Sequence, residues 1–205
     1  MTLPPGTVHQ GARAPQRATI ADWLAIPEER RAELIDGRIV QHAMPGPLHG
    51  ATQGGLFSVL NPAFGRRRRD DAHPGGWWLS QEVDMELGGA GCRPDVLGWR
   101  RDRHPTLPLP DARGVVVDVP DWICEVLSPS TVNVDTGRKR EAYHRAGVGY
   151  YWLADPERRS ITVLRRMEEG YVIVAVVAAG ERARLAPFEA IELEVDEVFV
   201  DEGAG

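Results

Sequence analysis

The sequence predicts a fold of the α+β or mixed α/β class, because helical and strand patterns occur together along its 205 residues. Two strand-like runs around Asp36 and Gly37 indicate a β-hairpin near the N-terminus. An apolar strand over 122–127 is followed by a helical pattern over 136–146, which Gly147 ends. Three further strand-like runs predict an antiparallel meander, at 150–154, 161–165 and 171–177.

Two helices are predicted in the first third of the chain from capping and spacing. Thr19 is placed to cap a short amphipathic helix that ends at residue 26, with Trp23 and Leu24 facing inward. Apolar residues at helical spacing predict a second helix over 49–64.

The middle of the chain is predicted to consist of strands and one long loop. Alternating apolar residues predict a single strand over 77–87, and the next strand, over 93–99, carries Asp95. The proline-rich stretch 104–120 is expected to form a surface loop.

Length and composition predict one domain over 19–200, with a flexible arm at 1–18 and a loose tail at 201–205. No stretch approaches the eighteen apolar residues of a membrane span. Cys92 and Cys124 make no disulfide framework, which favours packed thiols in a reduced, cytoplasmic setting. The net charge of −6 argues against an indiscriminate nucleic-acid coat protein.

The candidate site is formed by two carboxylates and the one lysine of the chain. Glu125 lies within an apolar strand, where a carboxylate is costly unless it is paired or binds a metal. Asp95 has similar apolar neighbours, and carboxylates on neighbouring strands can converge on Mg²⁺ or Mn²⁺. Alternatively, backbone amides or an arginine hold Glu125 as an ordinary buried carboxylate.

Lys139 is the single lysine among 24 basic residues, and its helix carries two further polar candidates for the site. Asp135, Lys139 and Tyr143 are four residues apart and would share one helix face. Beside a cation and partly desolvated, the pKa of Lys139 is expected to be depressed. The alternative is an ordinary surface ion pair between Lys139 and Asp135.

Several segments resemble the Uma2 family of restriction-endonuclease-like proteins. They are Glu-Leu-Ile-Asp-Gly-Arg-Ile-Val at 33–40, Arg-Pro-Asp-Val at 93–96, Glu-Val-Leu-Ser-Pro-Ser-Thr at 125–131, Lys-Arg-Glu-Ala-Tyr at 139–143 and Tyr-Trp-Leu-Ala-Asp-Pro at 151–156. The resemblance extends over roughly 19–200. It implies the PD-(D/E)XK nuclease fold, in which helices flank a central mixed sheet, here extended by the meander.

The resemblance also implies roles for individual residues. Asp95 would bind the metal and Glu125 would be the acidic residue of the E-x-K element, although Leu127 stands where that element has its lysine. In this family the following helix supplies the lysine, which corresponds to Lys139. Glu33 would be a further metal ligand or a half-exposed hairpin residue, and His49 would contact phosphate or stabilise a helix start.

The function implied is Mg²⁺-dependent hydrolysis of a phosphodiester, with DNA as the first substrate to consider. The alternatives are a non-catalytic module that binds nucleic acid or protein on a nuclease scaffold, an RNA nuclease and a toxin-like partner module. The arginine-rich runs 66–69 and 100–103 either contact phosphates or are solvated loops. Apolar surface expected at the 104–120 loop and at Trp77 and Trp78 predicts a two-fold homodimer.

Overall fold

A computed structural model of the chain describes residues 17–66, 73–129 and 132–200. Most of the predicted arm (1–18), the tail 201–205, three residues of the arginine run 66–69 and residues 130–131 of the Uma2-like motif lie outside the described residues. The helices are α1 Ile20–Leu24, α2 Pro47–Leu60 and α3 Arg140–Ala146. Single π-helical segments, Asn61–Gly65 and Val134–Lys139, adjoin α2 and α3, and 3₁₀ turns occur at Glu28–Arg30 and Val195–Glu197.

The strands are β1 Ala32–Ile35, β2 Arg38–Gln41, β3 Trp77–Gln81, β4 Met85–Leu87, β5 Ala90–Cys92, β6 Val96–Arg100, β7 Trp122–Val126, β8 Tyr150–Asp155, β9 Ser160–Arg166, β10 Tyr171–Ala178, β11 Arg182–Ala183 and β12 Leu193–Glu194. A six-stranded sheet has the order β10-β9-β8-β7-β6-β3, and a four-stranded sheet has the order β2-β1-β5-β4. β7 and β8 pair in parallel, with α3 in the connection between them, whereas the other pairs of the larger sheet are antiparallel. The predicted α+β class, with a mixed central sheet and an antiparallel meander, is therefore confirmed.

Strand β7 separates two apolar cores because its side chains alternate between the faces of the sheet. Trp122, Cys124 and Val126 pack in the core that contains α2. Ile123 packs in the other core, together with Tyr143 of α3. Glu125 shares the face of Ile123, so the strand directs its carboxylate towards the side of the sheet that α3 covers.

The predicted strand over 77–87 is wrong, because this stretch forms two strands that belong to different sheets. The chain turns between β3 and β4, where Glu82 adopts a left-handed backbone conformation with φ of 48°. Trp77 is only 6% exposed, and Trp78 is partly covered by the Arg101 guanidinium, 3.7 Å from its ring centroid. The homodimer prediction partly depended on Trp77 and Trp78 being exposed, and this expectation is wrong. Leu24, expected to face inward, is 37% exposed.

The arginine run 100–103 is engaged by the protein itself. Arg100 pairs with Asp102, and Arg103 pairs with the buried Asp121. Arg101 donates to the backbone carbonyls of Trp77 and Gly65, at 2.8 and 2.6 Å. These contacts take up hydrogen-bond donors that a phosphate backbone would need. None of the helices in the described ranges is long and apolar enough to cross a membrane.

Candidate active site

Lys139 lies at the centre of a buried cluster of carboxylates. Its Nζ atom is 3.0 Å from Glu125 Oε1, 3.0 Å from Glu33 Oε2 and 3.4 Å from Asp135 Oδ1. Lys139 itself is 4% exposed, so the alternative of a surface ion pair with Asp135 is wrong. Since Glu33 lies on β1 and Glu125 on β7, the lysine joins the smaller sheet to the larger one.

The hairpin places Glu33 inside the protein, so the alternative of a half-exposed hairpin residue is wrong. Glu33 is 3% exposed. It lies on the strand before the predicted turn, where Asp36 and Gly37 have φ angles of 52° and 73°. Its Oε1 atom accepts a hydrogen bond from the Arg93 backbone N–H at 2.8 Å. Its Oε2 atom contacts His42 Nε2 at 2.6 Å as well as Lys139. Both oxygens of Glu33 are thus engaged by groups of the protein.

His42 was not identified from the sequence. Ala32 pairs with Gln41 in the hairpin, and the His42 backbone N–H donates to the Arg31 carbonyl at 3.1 Å. His42 is therefore two residues beyond Val40, the partner of Glu33, on the same face of the ladder. The signal that could have identified His42 is the strand alternation of the predicted hairpin, continued beyond Val40.

Glu125 is held by two donors on one of its oxygens. Its Oε1 atom accepts from Lys139 Nζ and, at 2.6 Å, from the Tyr143 hydroxyl. The predicted common face of Asp135, Lys139 and Tyr143 is confirmed, with the π-helical segment as its first part. Among the described residues, Glu125 Oε2 carries no hydrogen bond.

Asp95 lies directly before β6, whose first residue, Val96, pairs with Cys124 of β7. Continuing this antiparallel register by one residue sets Asp95 opposite Glu125. Asp95 Oδ2 accepts from the Val126 backbone N–H at 2.7 Å and is 3.2 Å from His49 Nε2. No hydrogen bond to Asp95 Oδ1 is found among the residues that the structure describes.

Gln53 of α2 fixes the backbone at Asp95. The sequence patterns did not identify Gln53 as a residue of the site. Its Nε2 atom donates to the Asp95 carbonyl at 3.0 Å, and the side chain is buried. His49, in the first turn of the same helix, contacts the Asp95 carboxylate. One helix therefore holds both the main chain and the side chain of Asp95.

The pKa values of Lys139 and Glu125 are both raised. Burial lowers the pKa of Lys139, but Glu125, Glu33 and Asp135 outweigh it and raise that pKa well above its usual value. The groups of the protein therefore shift the pKa of Lys139 in the direction opposite to the expected depression. Burial raises the pKa of Glu125 well above its usual value, and the repulsion of Asp95 and Asp135 adds to this, while Lys139 opposes it.

The pKa values of Glu33 and Tyr143 keep Glu33 ionised and Tyr143 protonated, as their hydrogen bonds require. Burial raises the pKa of Glu33, but Lys139, His42 and the Arg93 N–H together lower it to about 2. Burial raises the pKa of Tyr143 well above its usual value, so its hydroxyl stays protonated and can donate to Glu125. Glu33 is thus a fixed negative charge beside a fixed positive one.

A cavity of about 540 Å³ opens onto this cluster. Six of the seven residues predicted for the site line it: Glu33, His49, Asp95, Glu125, Asp135 and Lys139. The seventh, Tyr143, is completely buried behind Glu125. The remaining wall includes His42 and a set of apolar residues, among them Leu24 and Met44.

The donor set fits a hard divalent cation held by two carboxylates. Among the described residues, no group of three or more histidine, cysteine, aspartate or glutamate side chains is arranged to hold a metal. Asp95 and Glu125 line the same cavity, and one carboxylate oxygen of each accepts no hydrogen bond within the part of the chain that the structure describes. Mg²⁺ is commonly bound by only one or two carboxylates, with water and substrate phosphate as its other ligands. Four carboxylates around one ammonium also leave negative charge that a cation would offset.

The chain is similar to a known protein family and to a solved structure. The model of the Uma2 family, described as "Putative restriction endonuclease", matches residues 19–196. The crystal structure of a putative nuclease belonging to DUF820 from Anabaena variabilis is similar, with a TM-score of 0.66 and 24% sequence identity. The match covers 88% of this chain and 97% of that one and shows a common fold. None of the curated proteins compared with the chain matches it.

Proposed function

The chain belongs to the Uma2 family, and from this premise we propose that it is a nuclease that hydrolyses DNA phosphodiesters with Mg²⁺ or Mn²⁺ at Asp95 and Glu125. The observation that carries the proposal is a pair of carboxylate oxygens, Asp95 Oδ1 and Glu125 Oε2, that accept no hydrogen bond from the described residues. Both residues line the same cavity, and the other oxygen of each is fixed by donors of the protein.

The residues around this pair would keep it in place. When bound, the cation would polarise a phosphoryl oxygen and lower the pKa of a water molecule. The Val126 N–H and His49 orient the Asp95 carboxylate, while Lys139 and Tyr143 orient that of Glu125. Because four groups fix two carboxylates, little reorganisation is needed when the site is filled.

Lys139 would contribute a permanent positive charge to the reaction. Its ammonium lines the cavity and is held by Glu33 and Asp135 as well as by Glu125. At this place it can orient the attacking water or offset the charge that builds on the phosphoryl oxygens. The oxygen of the water bonds to phosphorus and the water releases a proton. The bond from phosphorus to O3′ breaks and O3′ takes up a proton, which gives a 5′-phosphate and a 3′-hydroxyl.

Glu33 has a different place in this proposal from the metal ligand implied by the resemblance. Both its oxygens accept from or pair with groups of the protein at 2.6–3.0 Å. We therefore assign it to hold Lys139 against Glu125 from the side of β1.

One observation favours a second candidate function, a non-catalytic binding module on the nuclease scaffold. Lys139 already pairs with three carboxylates, so the cluster is partly neutralised without a cation. A purely structural ion-pair network has the same appearance. Cleavage measurements separate the two functions.

The decisive assay is nicking of supercoiled plasmid in Mg²⁺, Mn²⁺ or EDTA. We expect cleavage with either metal, none with EDTA, and a loss of about 100-fold or more in Asp95→Asn and Glu125→Gln. Asp118→Asn and Glu141→Gln remove exposed carboxylates elsewhere and should cleave like the wild type. Cleavage that persists in EDTA, or in both site variants, would contradict the metal mechanism. An inactive wild type would favour the binding module.

We also propose a reduced, cytoplasmic setting and a two-fold homodimer. The free, buried thiols of Cys92 and Cys124 suit a reduced, cytoplasmic setting. A two-fold homodimer would suit cleavage of both strands of a duplex. Light scattering at micromolar concentration that gives the mass of one chain would contradict the homodimer.

A further inference from the structure

The segment 42–49 spans the candidate site from one carboxylate to another, and we call it the arch. At its first residue, His42 Nε2 lies 2.6 Å from Glu33 Oε2. At its last residue, His49 Nε2 lies 3.2 Å from Asp95 Oδ2. Glu33 and Asp95 belong to different parts of the fold, so the two histidines fix both ends of the arch over the cavity.

Between its two histidines the arch carries no charged side chain. Its sequence there is Ala-Met-Pro-Gly-Pro-Leu, and Met44 is 75% exposed although it lines the cavity. Leu24 at the end of α1 is also exposed and lines the same cavity. Pro27 and Pro45 also line this cavity, and we call these four lining residues the apolar wall.

The charges of the cavity limit what this wall can bind. Two arginines line the cavity, and both are paired with carboxylates of the protein. Arg93 pairs with Glu28 and Asp84, and Arg31 pairs with Glu82. Phosphates need clustered basic groups for their affinity, which this wall does not offer. A base that is not stacked in a duplex can be held against apolar side chains, and methionine adapts well to varied partners.

We propose that the apolar wall formed by Leu24, Pro27, Met44 and Pro45 binds one unpaired nucleobase next to the phosphodiester held at Asp95 and Glu125. The inference rests on the proposed function and names its substrate as single-stranded or locally unpaired nucleic acid. A cavity of about 540 Å³ is in the size range of small-molecule sites and can take one nucleotide. In a duplex the base faces are covered by their neighbours, so a paired base could not lie on this wall.

The test is binding of two fluorescent single strands by the full chain in Ca²⁺, measured by polarisation. One strand is oligothymidylate, and the other has the same length but lacks the bases at its central positions. We expect wild-type protein to bind the thymine strand at least about fivefold more tightly, since covering the face of a base with apolar side chains removes apolar surface from water. Met44→Ser should remove most of this difference. Met167→Ser, in the turn after β9 and 49% exposed, is the matched control and should preserve it.

Each outcome decides the inference. Equal binding of both strands by the wild type, or an unchanged preference in Met44→Ser, would overturn the nucleobase site. If wild-type protein also cleaves plasmid in Mg²⁺, only this inference fails and the proposed nuclease function stands. If the wild type binds neither strand and cleaves nothing, both fail together.

Discussion

Lys139 Nζ lies 3.0 Å from Glu125 Oε1, although the lysine belongs to a helical segment and the glutamate to a central strand. In the general nuclease pattern the lysine stands two residues after the acidic residue, where this chain has Leu127. Residues two apart on a strand share a face, so a lysine at that position would also lie beside Glu125. The helix after β7 thus supplies an ammonium to the neighbourhood of the same carboxylate.

Removing the charge of Lys139 should destabilise the protein strongly. Lys139→Met leaves three carboxylates without their shared cation, and breaking a buried ion pair from one side costs roughly 3–5 kcal/mol. Denaturant unfolding at pH 7 measures the loss. Arg138→Met, which changes the exposed neighbouring residue, should alter the free energy of unfolding by less than about 0.5 kcal/mol. A Lys139→Met variant as stable as the wild type would show that the cluster is not ionised as described.

Loss of the Tyr143 hydroxyl should affect both folding and the site. Tyr143→Phe removes a buried donor to Glu125 Oε1, for which we expect a loss of about 1–3 kcal/mol in the free energy of unfolding. Tyr171→Phe removes a comparable buried bond, to the Val148 carbonyl, away from the site. Both variants should unfold more easily, but only Tyr143→Phe should weaken metal binding. Equal metal affinities in the two variants would exclude Tyr143 from positioning Glu125.

The contribution of Glu33 to stability should depend on pH in a defined direction. Its pKa is lowered from 4.5 to about 2 in the folded protein, so its ionised form stabilises the fold. This contribution is fully present above about pH 4.5 and is lost as the pH falls towards 2. The free energy of unfolding of Glu33→Gln should therefore be lower than that of the wild type at pH 7. The difference should shrink between pH 5 and pH 3, and a difference that grows as the pH falls would contradict the assignment.

Much of the fold could be predicted because its signals are local. The hairpin follows from Asp36 and Gly37, and Thr19 caps α1 as expected, with the side chain of Asp22 completing a capping box. The face of Glu125 follows from alternation on β7, and the common face of Lys139 and Tyr143 follows from helical spacing. These two local patterns converge in the structure on one carboxylate oxygen.

The sequence could not give the parts that depend on long-range packing. Alternation continues through 77–87, but the left-handed residue Glu82 sends the second half of this stretch into another sheet. The burial of Glu33 depends on contacts with Arg93 and Lys139, which lie far along the chain. The raised pKa of Lys139 depends on three carboxylates from three different elements, so spacing on its own helix could not show it.

The two thiols should be inert in the native protein. Cys92 and Cys124 are completely buried, and burial raises the pKa of both well above the usual value. Because the thiolate is the reactive form, Ellman's reagent should label neither cysteine until the chain is unfolded, and both afterwards. Rapid labelling of a folded chain at neutral pH would show that one of the two cores opens readily.

The proposed metal site at Asp95 and Glu125 is tested most directly by Mn²⁺ binding. Calorimetry and electron paramagnetic resonance would measure it for the wild type and its carboxylate variants. We expect the wild type to bind Mn²⁺ and expect Asp95→Asn and Glu125→Gln each to weaken binding by at least about tenfold, or ~1.4 kcal/mol. Asp118→Asn, whose carboxylate lies outside the cavity, should bind as the wild type does. A wild-type protein that binds no Mn²⁺, or an Asp95→Asn variant with unchanged affinity, would contradict the claim that Asp95 and Glu125 hold the metal.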